Sequence, residues 1–220
     1  MKKLMLLSLF LVIGYGMQSC APEIVDKPIV FNQERLELSK EYMESHYGLI
    51  QDEPSIEPKM VVVHWTAIPT FEKSFEAFAD TKLPNWRPEI AGAGALNVSS
   101  HFLVDRDGTI YRLMPETIMA RHVIGLNHCA IGIENVGGTD DTPLTDAQLK
   151  ANIDLIDYLS SKYDISYVIG HHEYRNFEGH PLWMEKDQGY RTEKSDPGDV
   201  FMSEIRNAFE PNKFKEIPNN

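Results

Sequence analysis

This 220-residue chain is short of cysteine, of positive charge and of long apolar runs, and each shortage removes a class of explanation. Two cysteines, Cys20 and Cys129, allow one disulfide at most, so no disulfide framework holds the fold together. Cys129 follows His128, opens an apolar stretch and reads as a buried, inert thiol. With 21 basic against 33 acidic residues, the chain is poorly suited to bind nucleic acid or anionic lipid. The acids are scattered along the sequence, which argues against an acidic tail. There is no internal repeat and no low-complexity tract. The length favours one domain whose core is large enough to fold without staples.

The apolar run that does occur comes at the start. Lys2 and Lys3 precede Leu4 to Ile13, and small residues lead on to Ser19-Cys20. Basic, apolar and cleavage regions in that order read as a secretory signal, too short to span a bilayer as a mature helix. Residues 1–19 look like a lipoprotein signal, with Cys20 as the acylated N-terminus. The alternative is simple secretion, with Cys20 inside or just beyond the removed peptide. Loss of the leader takes the net charge to −14, from 19 basic and 33 acidic residues. The expectation is an exported protein on the periplasmic face of a bacterial membrane, held there by its N-terminal lipid alone. Residues 20–58 read as a tether and N-terminal extension, with one helical stretch around Glu34 to Tyr47.

Chemistry gathers at strand ends. Met60 to His64, Ala130 to Glu134 and Tyr167 to His171 are apolar β-type runs that each close on a group able to bind metal or move a proton. A polar cluster, Lys194 to Gly198, follows the last of them. Ligands of open α/β sheets bind beyond the carboxyl ends of the strands, so the four segments could share one crevice. Two imidazoles and a carboxylate suit a catalytic zinc with one open position. Glu134, left spare, would be a general base beside the metal's water. A lone His or Glu at a strand end is usually just solvated; four such residues, each closing or following a buried-looking run, favour a site.

The rest of the chain supplies a frame. Phe71, Phe75 and Phe78 recur at helical spacing and predict a helix packed on the sheet. Residues 86–97 read as a loop, and residues 100–104 and 109–113 as a hairpin turned at Asp107-Gly108. A second loop, 114–128, carries Arg121, His122, Asn127 and His128. Over 144–163, Thr145 and Gln148 form a capping box, Leu144 and Leu149 a hydrophobic staple, and Ile153, Ile156 and Leu159 continue an apolar stripe. Strand 167–169 leads to a long polar loop, 172–195. A last helix is expected to open at Pro197 with Asp196 as its cap, burying Phe201, Ile205 and Phe209.

The succession VVVHWTA, SSHFLVDRDGTIYRLM, ARHVIGLNHCAIGIENVGG, VIGHH and KSDPG resembles the zinc-dependent N-acetylmuramoyl-L-alanine amidases of type 2, which share a fold with phage amidases and animal peptidoglycan recognition proteins. The likeness covers roughly residues 59–210, leaving 211–220 as a C-terminal tail. It implies a mixed α/β sheet flanked by helices, binding one zinc per chain. It implies His64, His171 and Asp196 as ligands, Glu134 as the catalytic carboxylate and Lys194 as the oxyanion donor. His122 and Asn127 match positions lining the substrate groove, and Ser100 stands where the phage and animal enzymes place a tyrosine. His172, beside His171, would point the other way. The implied reaction is hydrolysis of the amide between N-acetylmuramic acid and L-alanine in peptidoglycan or muropeptides; a monomer is expected. One departure is an insertion of about fifteen residues within 173–192. The competing readings are a non-catalytic peptidoglycan-binding module of the same fold, and a zinc amidase acting on another amide.

Overall fold

A computed structural model describes residues 21–85 and 87–219; Cys20 and the leader lie outside them. Among the described residues six strands form one mixed sheet. These are β1 (Ile24–Asp26), β2 (Met60–Trp65), β3 (Phe102–Val104), β4 (Ile110–Arg112), β5 (Ala130–Asn135) and β6 (Tyr167–Gly170), in the order β1-β4-β3-β5-β2-β6. β3, β5, β2 and β6 run parallel, while β4 and β1 run the other way. The fold class is therefore the expected mixed α/β sheet.

The uninterrupted apolar runs have a direct cause. Met60 and Val62 face one core with Ile169 and Tyr174, while Val61 and Val63 face another with Ile131, Leu155 and Met202. A strand covered on both faces has no solvent side to mark with polar residues. Helix α4 (Asp146–Lys162) covers the second face with Leu155, Ile156 and Leu159, and its capping box forms as the sequence predicts. Helix α2 (Phe71–Ala79), capped by Thr70, buries Phe78 and rests Phe71 and Phe75 against a third cluster around Leu103 and Leu113. The short α3 (Pro88–Ala91) lies within the predicted loop.

Two differences from the sequence reading matter for the site. First, the N-terminal extension, expected to carry one helix, also contributes a strand to the sheet. β1 pairs with β4, and α1 (Gln33–Tyr42) continues through a π-helical turn, Met43–Tyr47, whose aromatic residues are buried. Buried Arg35 fastens α1 by donating to the carbonyls of Val30, Phe78, Ala79 and Asp80. Second, the last helix, α5 (Asp199–Asn207), begins two residues later than expected. Gly198, at φ 88°, precedes it, and Asp196 caps nothing because its carboxylate is held by two imidazoles. Phe201 and Ile205 are buried as predicted, whereas Phe209 lies beyond the helix and packs at the edge of the core.

Candidate metal centre

Strand register builds the site. His64 on β2 stands opposite Glu134 on β5, and Val63 stands opposite Gly170 on β6, so His171 leaves β6 level with His64. Three side chains one strand apart thus emerge at the same end of the sheet. Asp196 joins them from the segment before α5. Its Oδ2 lies 3.2 Å from His64 Nδ1 and 3.0 Å from His171 Nδ1. Ligand atoms of His64, His171 and Asp196 all lie within 4.8 Å of one another, and all three residues are buried.

The donor set fits a divalent metal on its chemistry. The Ala130 carbonyl can only accept, so the His122 Nε2 facing it at 3.3 Å carries a proton. Burial keeps the His122 pKa well below the usual histidine range, so its ring is neutral and Nδ1 is an acceptor. His64 Nε2, 3.0 Å away, must then donate. In neutral His64 that leaves the Nδ1 lone pair aimed at the Asp196 carboxylate, two acceptors facing each other unless a cation lies between them. His171 presents its Nδ1 to the same oxygen. Burial drives the His171 pKa down to about 4, which favours the neutral ring a metal needs. Burial acts to raise the Asp196 pKa, but His171 and His64 outweigh it and hold the carboxyl well below its ordinary range. Two imidazoles and a carboxylate are the composition of a three-ligand zinc site.

Glu134 is the fourth member. It is about 9% exposed, and its Oε2 is buried without a hydrogen-bond partner. Burial pushes its carboxyl up to about 7; His64 tempers the rise, the Asp196 charge adds to it, and Arg87 and Lys194 temper it further. A carboxylate tuned near neutrality beside a metal-type ligand set can both take and return a proton. Lys194 lines the same cleft, where its charge acts on Glu134 and His171.

The other named residues divide between cleft and frame. The cleft, about 1010 Å³ of empty space, is bordered by Tyr42, Ile90, Arg121, Tyr190 and Thr192 besides the central residues. His122 and Asn127 lie in its floor with polar atoms already engaged: Asn127 Oδ1 accepts from the backbone of His122 and Val123, and Nδ2 donates to the Tyr47 hydroxyl. Ser100 is fully buried and donates to the Phe102 carbonyl, so it presents nothing to the cleft. His101 spends both ring nitrogens, on the Ile118 carbonyl and the Gly132 N–H. His172 turns away from His171 and hydrogen-bonds the Asp196 carbonyl. Within the insertion, Trp183 stacks beside Tyr174 and packs so closely on Gly125 that a Cβ there would lie 2.7 Å from the indole. Tyr190, by contrast, reaches the cleft and takes a hydrogen bond from Arg121.

Tyr42 was not singled out by sequence reasoning, and Arg121 was named only as a residue of the second loop. Arg121 is nearly fully buried and donates to the carbonyls of Ile90, Gly94 and Leu96 as well as to Tyr190. Its only signal in the sequence is a place next to His122.

The site is thus a His–His–Asp cluster at the strand ends of an α/β sheet, with an ionisable carboxylate beside it. The chain belongs to the N-acetylmuramoyl-L-alanine amidase family (Amidase_2), whose profile matches residues 54–199. The endolysin of Enterobacteria phage T3 is 30% identical over 129 residues, covering 56% of this chain and 81% of that protein. The 1,6-anhydro-N-acetylmuramyl-L-alanine amidase AmpD of Citrobacter freundii is 34% identical over 130 residues, 54% of this chain and 68% of that one. A solved structure of a selenomethionine AmpD derivative superposes with a TM-score of 0.51 at 26% identity, covering 86% of this chain and 96% of that one. The amidase LysC of Clostridium intestinale shares the fold, with a TM-score of 0.50 at 24% identity over 85% of this chain and 97% of that one.

Proposed function

We propose that this protein is a zinc-dependent hydrolase of the amide between N-acetylmuramic acid and L-alanine, in peptidoglycan or muropeptides. The observation that carries this reading is the cluster of His64, His171 and Asp196 with Glu134, raised to about 7, one strand away. Zinc held by those three residues would supply Lewis acidity, polarising the substrate carbonyl and lowering the pKa of water toward neutrality. Glu134 takes the proton of the attacking water and returns it to the departing amine of L-alanine. Its buried, unpartnered Oε2 is the atom available for that exchange. Lys194 faces the negative charge that develops on the carbonyl oxygen, a contribution of about 3 kcal/mol for a well-placed donor. The dry surroundings of His64 and Glu134 strengthen both interactions.

The same reading makes the protein a lipid-anchored monomer on the periplasmic face of the membrane, acylated at Cys20. β1 begins at Ile24, four positions after Cys20 in the sequence. Register carries Ile24 across Ile110, Val104 and Asn135 to Trp65, which puts the start of β1 at the site end of the sheet. Such a tether supports action close to the bilayer.

The test is product identity. Incubated with a disaccharide-peptide muropeptide, the purified protein should release the intact stem peptide with a free L-alanine amine, read by mass spectrometry. Cleavage inside the stem peptide, or no cleavage, would contradict the assignment.

A further inference from the structure

We propose that His122 is a positioning residue of the metal centre, and that the N-terminal helix acts on the centre through it. This inference rests on the metal reading of His64, His171 and Asp196. A continuous chain of hydrogen bonds carries it. The Tyr47 hydroxyl, at the end of the π-helical turn, accepts from Asn127 Nδ2 at 2.8 Å. Asn127 Oδ1 accepts from the backbone N–H groups of His122 at 2.9 Å and Val123 at 2.8 Å. Those two bonds fix the backbone from which the His122 ring hangs. The ring donates from Nε2 to the Ala130 carbonyl and presents Nδ1 to His64 Nε2 at 3.0 Å.

The consequence falls on His64. With its proton held on Nε2, His64 has its Nδ1 lone pair directed at Asp196 and can ligate only through that atom. Outer partners of this kind set the tautomer and the ring orientation of a metal-binding histidine. His122 has no ring nitrogen left for substrate, so its part in the cleft is to orient a neighbour.

Gly132 supports the same conclusion independently. It lies inside β5 without a positive φ, so no backbone conformation requires glycine there. A Cβ at this position would lie 2.9 Å from the His122 ring, which means the strand has given up a side chain to seat that imidazole. Tyr47 lies before the segment 54–199 that the family profile matches. The N-terminal extension therefore contributes to this support from outside the matched segment.

Zinc affinity, measured by chelator competition on purified protein, separates this role from a general packing role. His122→Ala should bind zinc about 10 to 100 times more weakly, the range for lost outer-shell partners. His122→Asn, whose Oδ1 can still accept from His64 Nε2, should recover most of that loss. Tyr47→Phe should show a smaller loss in the same direction, and cobalt-loaded His122→Ala should show an altered absorption spectrum. Wild-type affinity in folded His122→Ala would overturn the proposal. If His122→Ala fails to fold, Gly132→Ala and Tyr47→Phe decide: weaker zinc binding supports the role, and unchanged affinity in both refutes it. Wild-type protein that takes up no zinc would sink the metal reading itself, whereas normal wild-type uptake with unaffected variants sinks only the positioning role.

Discussion

Replacing Glu134 with Gln keeps the size and reach of the side chain and removes its basicity. The site gives this substitution a sharp expected outcome, because Glu134 faces the ligand cluster without belonging to it. Zinc stoichiometry and muropeptide binding should stay normal. Turnover should fall by at least about a hundredfold, the low end of what general acid–base catalysis contributes. Neither His101 nor Ser100 can take over: His101 has both ring nitrogens engaged, and Ser100 donates to the Phe102 carbonyl. The assay is initial-rate release of stem peptide, followed by chromatography, beside metal analysis of the same preparation. A second readout comes from the metal-free protein. Burial raises the Glu134 pKa from 4.5 to about 7, so the folded state binds its proton more tightly than the unfolded state does. The stability this provides is fully present below about pH 4.5 and is lost as pH rises through about 7. The loss is on the order of 3 kcal/mol at most. Gln carries no such penalty, so metal-free Glu134→Gln should gain on wild type between pH 5 and 8 in urea unfolding. Near-normal turnover in the Gln variant would remove Glu134 from the mechanism. A flat stability difference across that pH range would show that the carboxyl is not desolvated as described.

Further outcomes follow from other parts of the molecule. His64→Ala should lose metal and activity together, since only two protein ligands remain; retained zinc on metal analysis would contradict the ligand set. Glu185, buried in the insertion, holds His46 Nδ1 of the N-terminal extension at 2.9 Å, and Glu185→Leu should destabilise the fold by about 1–3 kcal/mol in urea titrations by leaving that nitrogen unpartnered while Nε2 keeps the Ala93 carbonyl. Tyr190→Phe keeps the ring at the cleft but removes the acceptor for Arg121, so it should change preference among muropeptides while zinc content stays the same. Cys20→Ser should move the protein from the membrane pellet to the soluble fraction, and persistence in the pellet would refute the lipid anchor.

The strand-end residues His64, Glu134 and His171 were legible because each closes an apolar run, and parallel register turns equal positions along such runs into neighbours. Helix α4 was legible because its capping box and stripe are local patterns. β1 was not, since three residues carry no periodicity and are a strand only by pairing with β4, more than eighty positions away. The start of α5 was misplaced because a Pro preceded by Asp reads locally as a cap, whereas tertiary contacts commit that carboxylate to His64 and His171. The place of Trp183 was not legible either, because the space above Gly125 that holds it exists only in the folded chain. The proton arrangement along His122 and His64 has no sequence signal at all, because it depends on which acceptor each ring nitrogen meets.

The central claim is that His64, His171 and Asp196 hold a zinc ion on which muropeptide hydrolysis depends. Purified protein should contain one zinc per chain, lose stem-peptide release when a chelator removes that zinc, and regain it on stoichiometric zinc addition. Undiminished release from protein shown by metal analysis to be zinc-free would contradict the account.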